Sequence, residues 1–176
     1  MDIISFYRQE QRRVHVALQE AVQELTTDEW HFLLPGAGNH IAFTFLHCIR
    51  TEDNVYRFIL QGRPPIWNED KWHEILHLPE RLQGASMSSA DARRIFIHEP
   101  ASLLQYAEQV WRDSETYLSS IQDGGSALAD RIIHVNPLGN MPALQVIGQV
   151  CISDLFTRLG EIHTLLGAQG KKVRLL

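Results

Sequence analysis

Three groups of residues combine side-chain type and spacing in ways that suit chemistry. The first is His73-Glu74-Ile75-Leu76-His77, a literal HExxH. On a single helix this spacing turns two imidazoles to one face for Zn²⁺, with the glutamate as general base of a metalloprotease. Pro79 stops any helix just past the second histidine, and no GxxH follows to supply a third ligand. The segment therefore reads as a surface helix whose histidines pick up at most an adventitious metal. The second group centres on His47, inside Phe43-Thr44-Phe45-Leu46-His47-Cys48-Ile49. An imidazole in so apolar a stretch needs a partner, which can be a backbone or side-chain group, water or a metal. His40 and Thr44 fall near it on one helical face. The third group is Asp154, Arg158 and Glu161, whose spacings of four and three place them on one side of a helix. On an exposed face they form an ordinary ion-pair stripe worth a few tenths of a kcal/mol, roughly. Turned toward the core, they border the same interior as His47. No Gly-rich phosphate loop and no GxSxG nucleophile elbow is present.

The elements that must position these groups are helices. From about Ile3 to Leu25, the residues Ile4, Tyr7, Val14, Leu18, Ala21 and Leu25 recur at three- and four-residue steps, with Gln11 as one polar break. Thr26 to Trp30 starts a short turn of helix with its own Thr or Asp cap. After a break at Leu34-Pro35-Gly36-Ala37-Gly38, Asn39 is placed to cap a second long helix running to about Gln61. Between Ile41 and Ile49 that helix is apolar nearly all round, as in a helix buried on several sides. A long connection over 62–98 holds candidate short helices near 69–77 and 89–97, the latter with Ser88 or Ser89 as cap. Pro100 suits the first turn of a third long helix whose buried face carries Leu104, Ala107, Trp111, Tyr117, Leu118 and Ile121. A second connection, from Ser126 to Gly139, includes the apolar run Ile132-Ile133-His134-Val135, read as briefly extended. The fourth long helix starts at Met141-Pro142 and runs to Leu166, with Leu144, Ile147, Cys151, Leu155, Leu159 and Ile162 as its seam. Gly148 and Gly160 lower its helix propensity, so each calls for a close neighbour. Four helices with two long connections form an all-α, antiparallel four-helix bundle. Residues 1–168 are expected to be one domain, with 169–176 as a frayed tail.

At 176 residues the chain suits one domain. Its net charge of -5 argues against a nucleic-acid partner, which needs a basic face. Cys48 and Cys151 sit in apolar helical patterns without CxxC spacing and read as buried free thiols in a reducing compartment. The N-terminus lacks a signal-peptide layout, and no apolar run reaches the roughly 18–20 residues of a membrane span. The expected location is the cytoplasm, with no membrane partner.

Leu25-Thr26-Thr27-Asp28-Glu29-Trp30, Pro35, and Asn39-His40-Ile41-Ala42-Phe43 leading to His47 resemble the opening half of the DinB/YfiT-like superfamily. Arg158-Leu159-Gly160-Glu161-Ile162 resembles the family's ending, His-x-Gly-(Glu/Gln)-Ile. The resemblance spans about residues 10–167. It implies a four-helix bundle with an up-down-down-up course and, in many members, a homodimer. It also implies a divalent metal held by three histidines in thiol-dependent transferases, isomerases or hydrolase-like proteins. His47 matches the ligand of the second helix. The two ligand positions of the fourth helix fall on Asp154 and Arg158. Aspartate can ligate a metal, but a guanidinium has no lone pair to offer. The expectation is thus a degenerate metal site with no cofactor, in a pocket of His47, Asp154, Arg158, Glu161, Thr44 and His40 that takes a small anionic or thiol ligand. The alternative is a modified Zn²⁺ or Ni²⁺ site on His47 and Asp154, serving a transferase or hydrolase.

Overall fold

The computed structural model describes residues 2–36, 38–82, 87–136 and 138–173. Four long helical stretches carry the core. Helix α1 (Ile3–Val22) is capped by Asp2, whose carboxylate accepts from the Ser5 amide at 2.7 Å. The short α2 (Thr27–Trp30) has a capping box built from Thr26 and Glu29, and it buries Trp30 completely. Helix α3 (Ile41–Asp53) runs on through a π-helical segment, Asn54–Leu60. The connection then forms the single turns α4 (Ile66–Glu69), α5 (Trp72–Ile75) and α6 (Ser89–Ala92), with Ser88 capping the last. Helix α7 (Pro100–Ser119) has Pro100 in its first turn. After α8 (Ser126–Asp130), strands β1 (Ile132–Val135) and β2 (Gly139–Pro142) pair as an antiparallel hairpin, with Ile132 opposite Pro142 and Val135 opposite Gly139. The last stretch is α9 (Ala143–Gly148), a π segment (Gln149–Ser153) and α10 (Asp154–Ala168).

Helix α3 packs against both α7 and α10, and α1 packs against the same two. Their shared core holds Val14, Leu18, Phe45, Ile49, Leu103, Leu155, Leu159 and Ile162. Each fully buried Leu or Ile contributes about 1.5–3 kcal/mol. A second cluster, around Tyr56, Leu60, Leu118, Leu128, Met141 and Ile147, seats the hairpin on the π segments.

The structure departs from the expected pattern in three places. Helix α1 ends at Val22 rather than Leu25. His40, not Asn39, caps α3, because its Nδ1 accepts from the Phe43 amide at 3.1 Å. The hairpin makes the chain mostly helical rather than strictly all-α. Of the expected tail, residues 169–173 are described, and Lys171 pairs with Glu29 at 2.6 Å; 174–176 lie outside the described residues.

Gly148 and Gly160 separate cleanly. A Cβ at Gly148 would lie 2.6 Å from the Tyr7 hydroxyl, whereas one at Gly160 would meet nothing within 4 Å. Gly160→Ala is therefore expected to stabilise the protein by up to about 1 kcal/mol. Gly148→Ala should yield no such gain unless combined with Tyr7→Phe. Urea midpoints of the three variants check this, and equal gains at both glycines would contradict the contact.

Candidate functional site

Two polar clusters interrupt the apolar interior. The first lies along α10. Arg158 bonds Asp154 at 3.4 Å and Glu161 at 2.9 Å, so the three residues do form one stripe. Their side chains are 30% (Arg158), 33% (Asp154) and 43% (Glu161) exposed. They border the core rather than fill it. Desolvation opposes the Arg158 charge, but the two carboxylates outweigh it and raise its affinity for the proton. The stripe also acts on α3. Burial pushes the Cys48 thiol far above its ordinary pKa, and Asp154 adds to that shift while Arg158 opposes it. One atom of the stripe is left over: Arg158 Nε is buried and has no hydrogen-bond partner.

His47, next to Cys48, is half-buried, with its ring nearly parallel to Phe43 at 6.1 Å. Thr44 is buried on the same helix. His40 is buried at the start of α3, where it faces His31 at 5.1 Å between ring centroids and not the Asp154 stripe. The HExxH residues do not share a helix face. Helix α5 ends at Ile75, and His77 takes a left-handed backbone with φ of 54°.

The second cluster is deeper. Glu52 is fully buried and accepts from Gln11 Nε2 at 2.7 Å, His15 Nε2 at 2.9 Å and Ser114 Oγ at 2.8 Å. Tyr56 donates to Gln11 Oε1 at 2.8 Å. The cluster thus draws two residues of α1 and one of α7 onto a carboxylate of α3, with His15 and Gln11 a turn apart on α1. It was missed in the sequence. The available signals were Gln11, sitting in an apolar stripe, and the adjacent acids Glu52 and Asp53 in a helix with so little exposed surface.

A family model described as the DinB superfamily matches residues 11–152. The chain belongs to the DinB superfamily. A conserved protein of Enterococcus faecalis has a similar solved structure, with a TM-score of 0.81 and 21% identity over 97% of this chain and 99% of that one. At that identity the likeness speaks for the DinB fold alone. No curated protein matches the chain. The family match takes in His47 and stops before Asp154, Arg158 and Glu161.

The donor set does not fit the three-histidine centre that the family resemblance implies. The resemblance puts two of its ligands at Asp154 and Arg158, and here the Arg158 guanidinium, which has no lone pair to give, lies 3.4 Å from the Asp154 carboxylate. Among the described residues, no three His, Cys, Asp or Glu side chains gather as a ligand set. No described helix is long and apolar enough to cross a membrane.

Proposed function

We propose that this DinB-fold protein is a small-molecule binding module whose pocket, beside His47, is organised by Arg158 in place of a metal. The observation that carries this reading is the unsatisfied Arg158 Nε–H. The other two guanidinium nitrogens are spent on Asp154 and Glu161. A buried donor of a charged group left without an acceptor costs about 1–3 kcal/mol. An oxygen from a bound carboxylate or carbonyl recovers that energy, and arginine's planar fork favours such a partner. The ligand is therefore a small anionic compound, a thiol-bearing acid included. His47, Thr44 and Glu161 complete the lining, with His40 further off at the head of α3.

The same reading takes residues 1–168 as a single antiparallel bundle with an up-down-down-up course, acting as a homodimer in the cytoplasm.

The test combines thermal-shift titration against small carboxylates and glutathione with elemental analysis of untagged protein. A ligand that raises Tm in the parent chain should bind at least tenfold more weakly to Arg158→Gln, about 1.4 kcal/mol. About one Zn²⁺ or Ni²⁺ per chain, lost in a folded His47→Ala variant, would overturn the reading. It would favour a modified metalloenzyme that uses His47 and Asp154 with Glu161 or His40.

A further inference from the structure

The Glu52 cluster opens to the surface at one point. His15 spends Nε2 on Glu52, and its ring stacks on Trp111 at 4.7 Å with planes 16° apart. Among the described residues Nδ1 has no hydrogen-bond partner, and it is not one of the sealed polar atoms. It lies in the floor of a groove of about 470 Å³ between α1 and α7. That volume falls within the range of small-molecule sites. Trp111 forms the floor beside it, 9% exposed, and its indole Nε1–H is buried without an acceptor.

The walls of the groove set its charge. Arg12 and Arg112 both line it. Glu115 lines it too, but its carboxylate is taken up by Arg8, through Nε at 3.1 Å, and by Arg12 at 3.3 Å. Arg112 has neither an ion-pair partner nor a side-chain hydrogen bond among the described residues. Val16, 51% exposed, supplies an apolar wall.

Buried charge calls for a counter-charge. Gln11 and Ser114 give Glu52 neutral hydrogen bonds, and the His15 imidazole is the one of its three partners whose side chain can carry a positive charge. We propose that the α1–α7 groove over His15 and Trp111 is a second binding site, for a small organic carboxylate with an apolar or aromatic body. Bound there, the carboxylate meets Arg112 and a His15 imidazolium that holds Glu52 through Nε2–H and the ligand through Nδ1–H, and the body lies along Val16 and the indole. This site is independent of the Arg158 pocket.

The probe is benzoate, titrated into the intact protein while the His15 imidazole and Trp111 indole NMR resonances are followed. Saturable shifts of both are expected in the parent chain and in Arg158→Gln. His15→Gln keeps a donor for Glu52 and removes the cation; it should weaken benzoate at least tenfold while Tm stays within a few degrees. Arg112→Gln should weaken it several-fold and serves as the reporter should His15→Gln fail to fold. Absence of saturable shifts, or unchanged benzoate affinity in both variants, overturns the proposal. So does inorganic phosphate producing the same shifts at equal affinity, since the groove would then read charge alone.

Discussion

Asp53→Ala is expected to remove about 3–5 kcal/mol of folding stability, the cost of stripping one partner from a buried charge. Asp53 has no exposed surface. It accepts from the Tyr106 hydroxyl at 2.6 Å and from the Ile66 and Trp67 amides at 2.9 and 3.0 Å. Arg50 lies 3.4 Å away and is itself 3% exposed. Burial pushes the Asp53 carboxyl up, and the hydrogen bonds from Tyr106, Trp67 and Ile66, with the Arg50 charge, pull it back. Alanine would leave two amides and a guanidinium with fewer partners than burial demands. Arg50 would keep its bond to the Leu82 carbonyl at 3.0 Å and its place over the Trp67 ring at 4.6 Å, which limits the loss. Since whole domains are stable by only about 5–15 kcal/mol, the effect is easily read as a urea midpoint at pH 7. The Ile66 and Trp67 amides should also lose hydrogen-exchange protection first, because Asp53 is what ties α4 to α3. A loss below about 1 kcal/mol would show that the cluster is not the anchor of the connection. If the alanine variant does not fold, Tyr106→Phe removes a single donor and should cost about 1–2 kcal/mol.

The Asp53 cluster shows what the sequence could and could not convey. Helices α1, α3, α7 and α9–α10 are legible because apolar spacing is a local property, and helix starts are marked by the ring of Pro100 and the side-chain oxygen of Thr26. The long connection was legible only as a connection. What fixes it are three charged residues, Arg50, Asp53 and Arg57, which sit within two turns of one another and look like a polar helix face. Each is almost fully buried, because residues 64–82 fold over them. Arg57 bonds the Pro64 carbonyl at 3.1 Å, Asp113 at 3.1 Å and Glu69. No pattern along the chain announces a cover that arrives from elsewhere.

Register suffered for a different reason. In the last helical stretch the buried face runs through Ala143 rather than through Leu144, which is only half-buried. A π turn inserts an extra residue and rotates everything beyond it. One such segment, Gln149–Ser153, separates Ala143 from Asp154. Extrapolating a 3.6-residue period across it misplaces one end or the other. The stripe Asp154, Arg158 and Glu161 survived because its own spacing lies within α10. The Glu52 cluster did not, because His15, Glu52 and Ser114 come from three helices and meet only after packing. Gly148 shows a middle case: its cost in propensity signalled a close approach, and Tyr7 supplies it, while the same argument at Gly160 finds open space.

His40 should make the fold acid-sensitive between about pH 6.5 and pH 4. Its Nδ1 accepts from the Phe43 amide, which fixes the neutral ring with the other proton on Nε2. That Nε2 is buried without a partner. Burial and then the neighbouring His31 lower the His40 pKa from 6.5 to about 4. His31 is committed away from His40, since its Nε2 accepts from the Ile97 amide at 2.9 Å and its Nδ1 bonds the Thr27 carbonyl at 2.7 Å. The unfolded chain therefore binds a proton at His40 that the folded chain refuses. Its contribution is fully present above pH 6.5, falls as the pH drops through the window, and is gone below about pH 4. A pKa lowered from 6.5 to about 4 is worth about 3 kcal/mol. Asparagine caps helices through its side-chain oxygen and does not titrate. His40→Asn should thus keep α3 started at Ile41 and flatten the fall in stability between pH 7 and pH 4 by up to that amount relative to the parent. Urea unfolding at half-unit pH steps measures the difference. Parallel curves for the two proteins would mean that the His40 ring already shares its charge with a partner in the folded state.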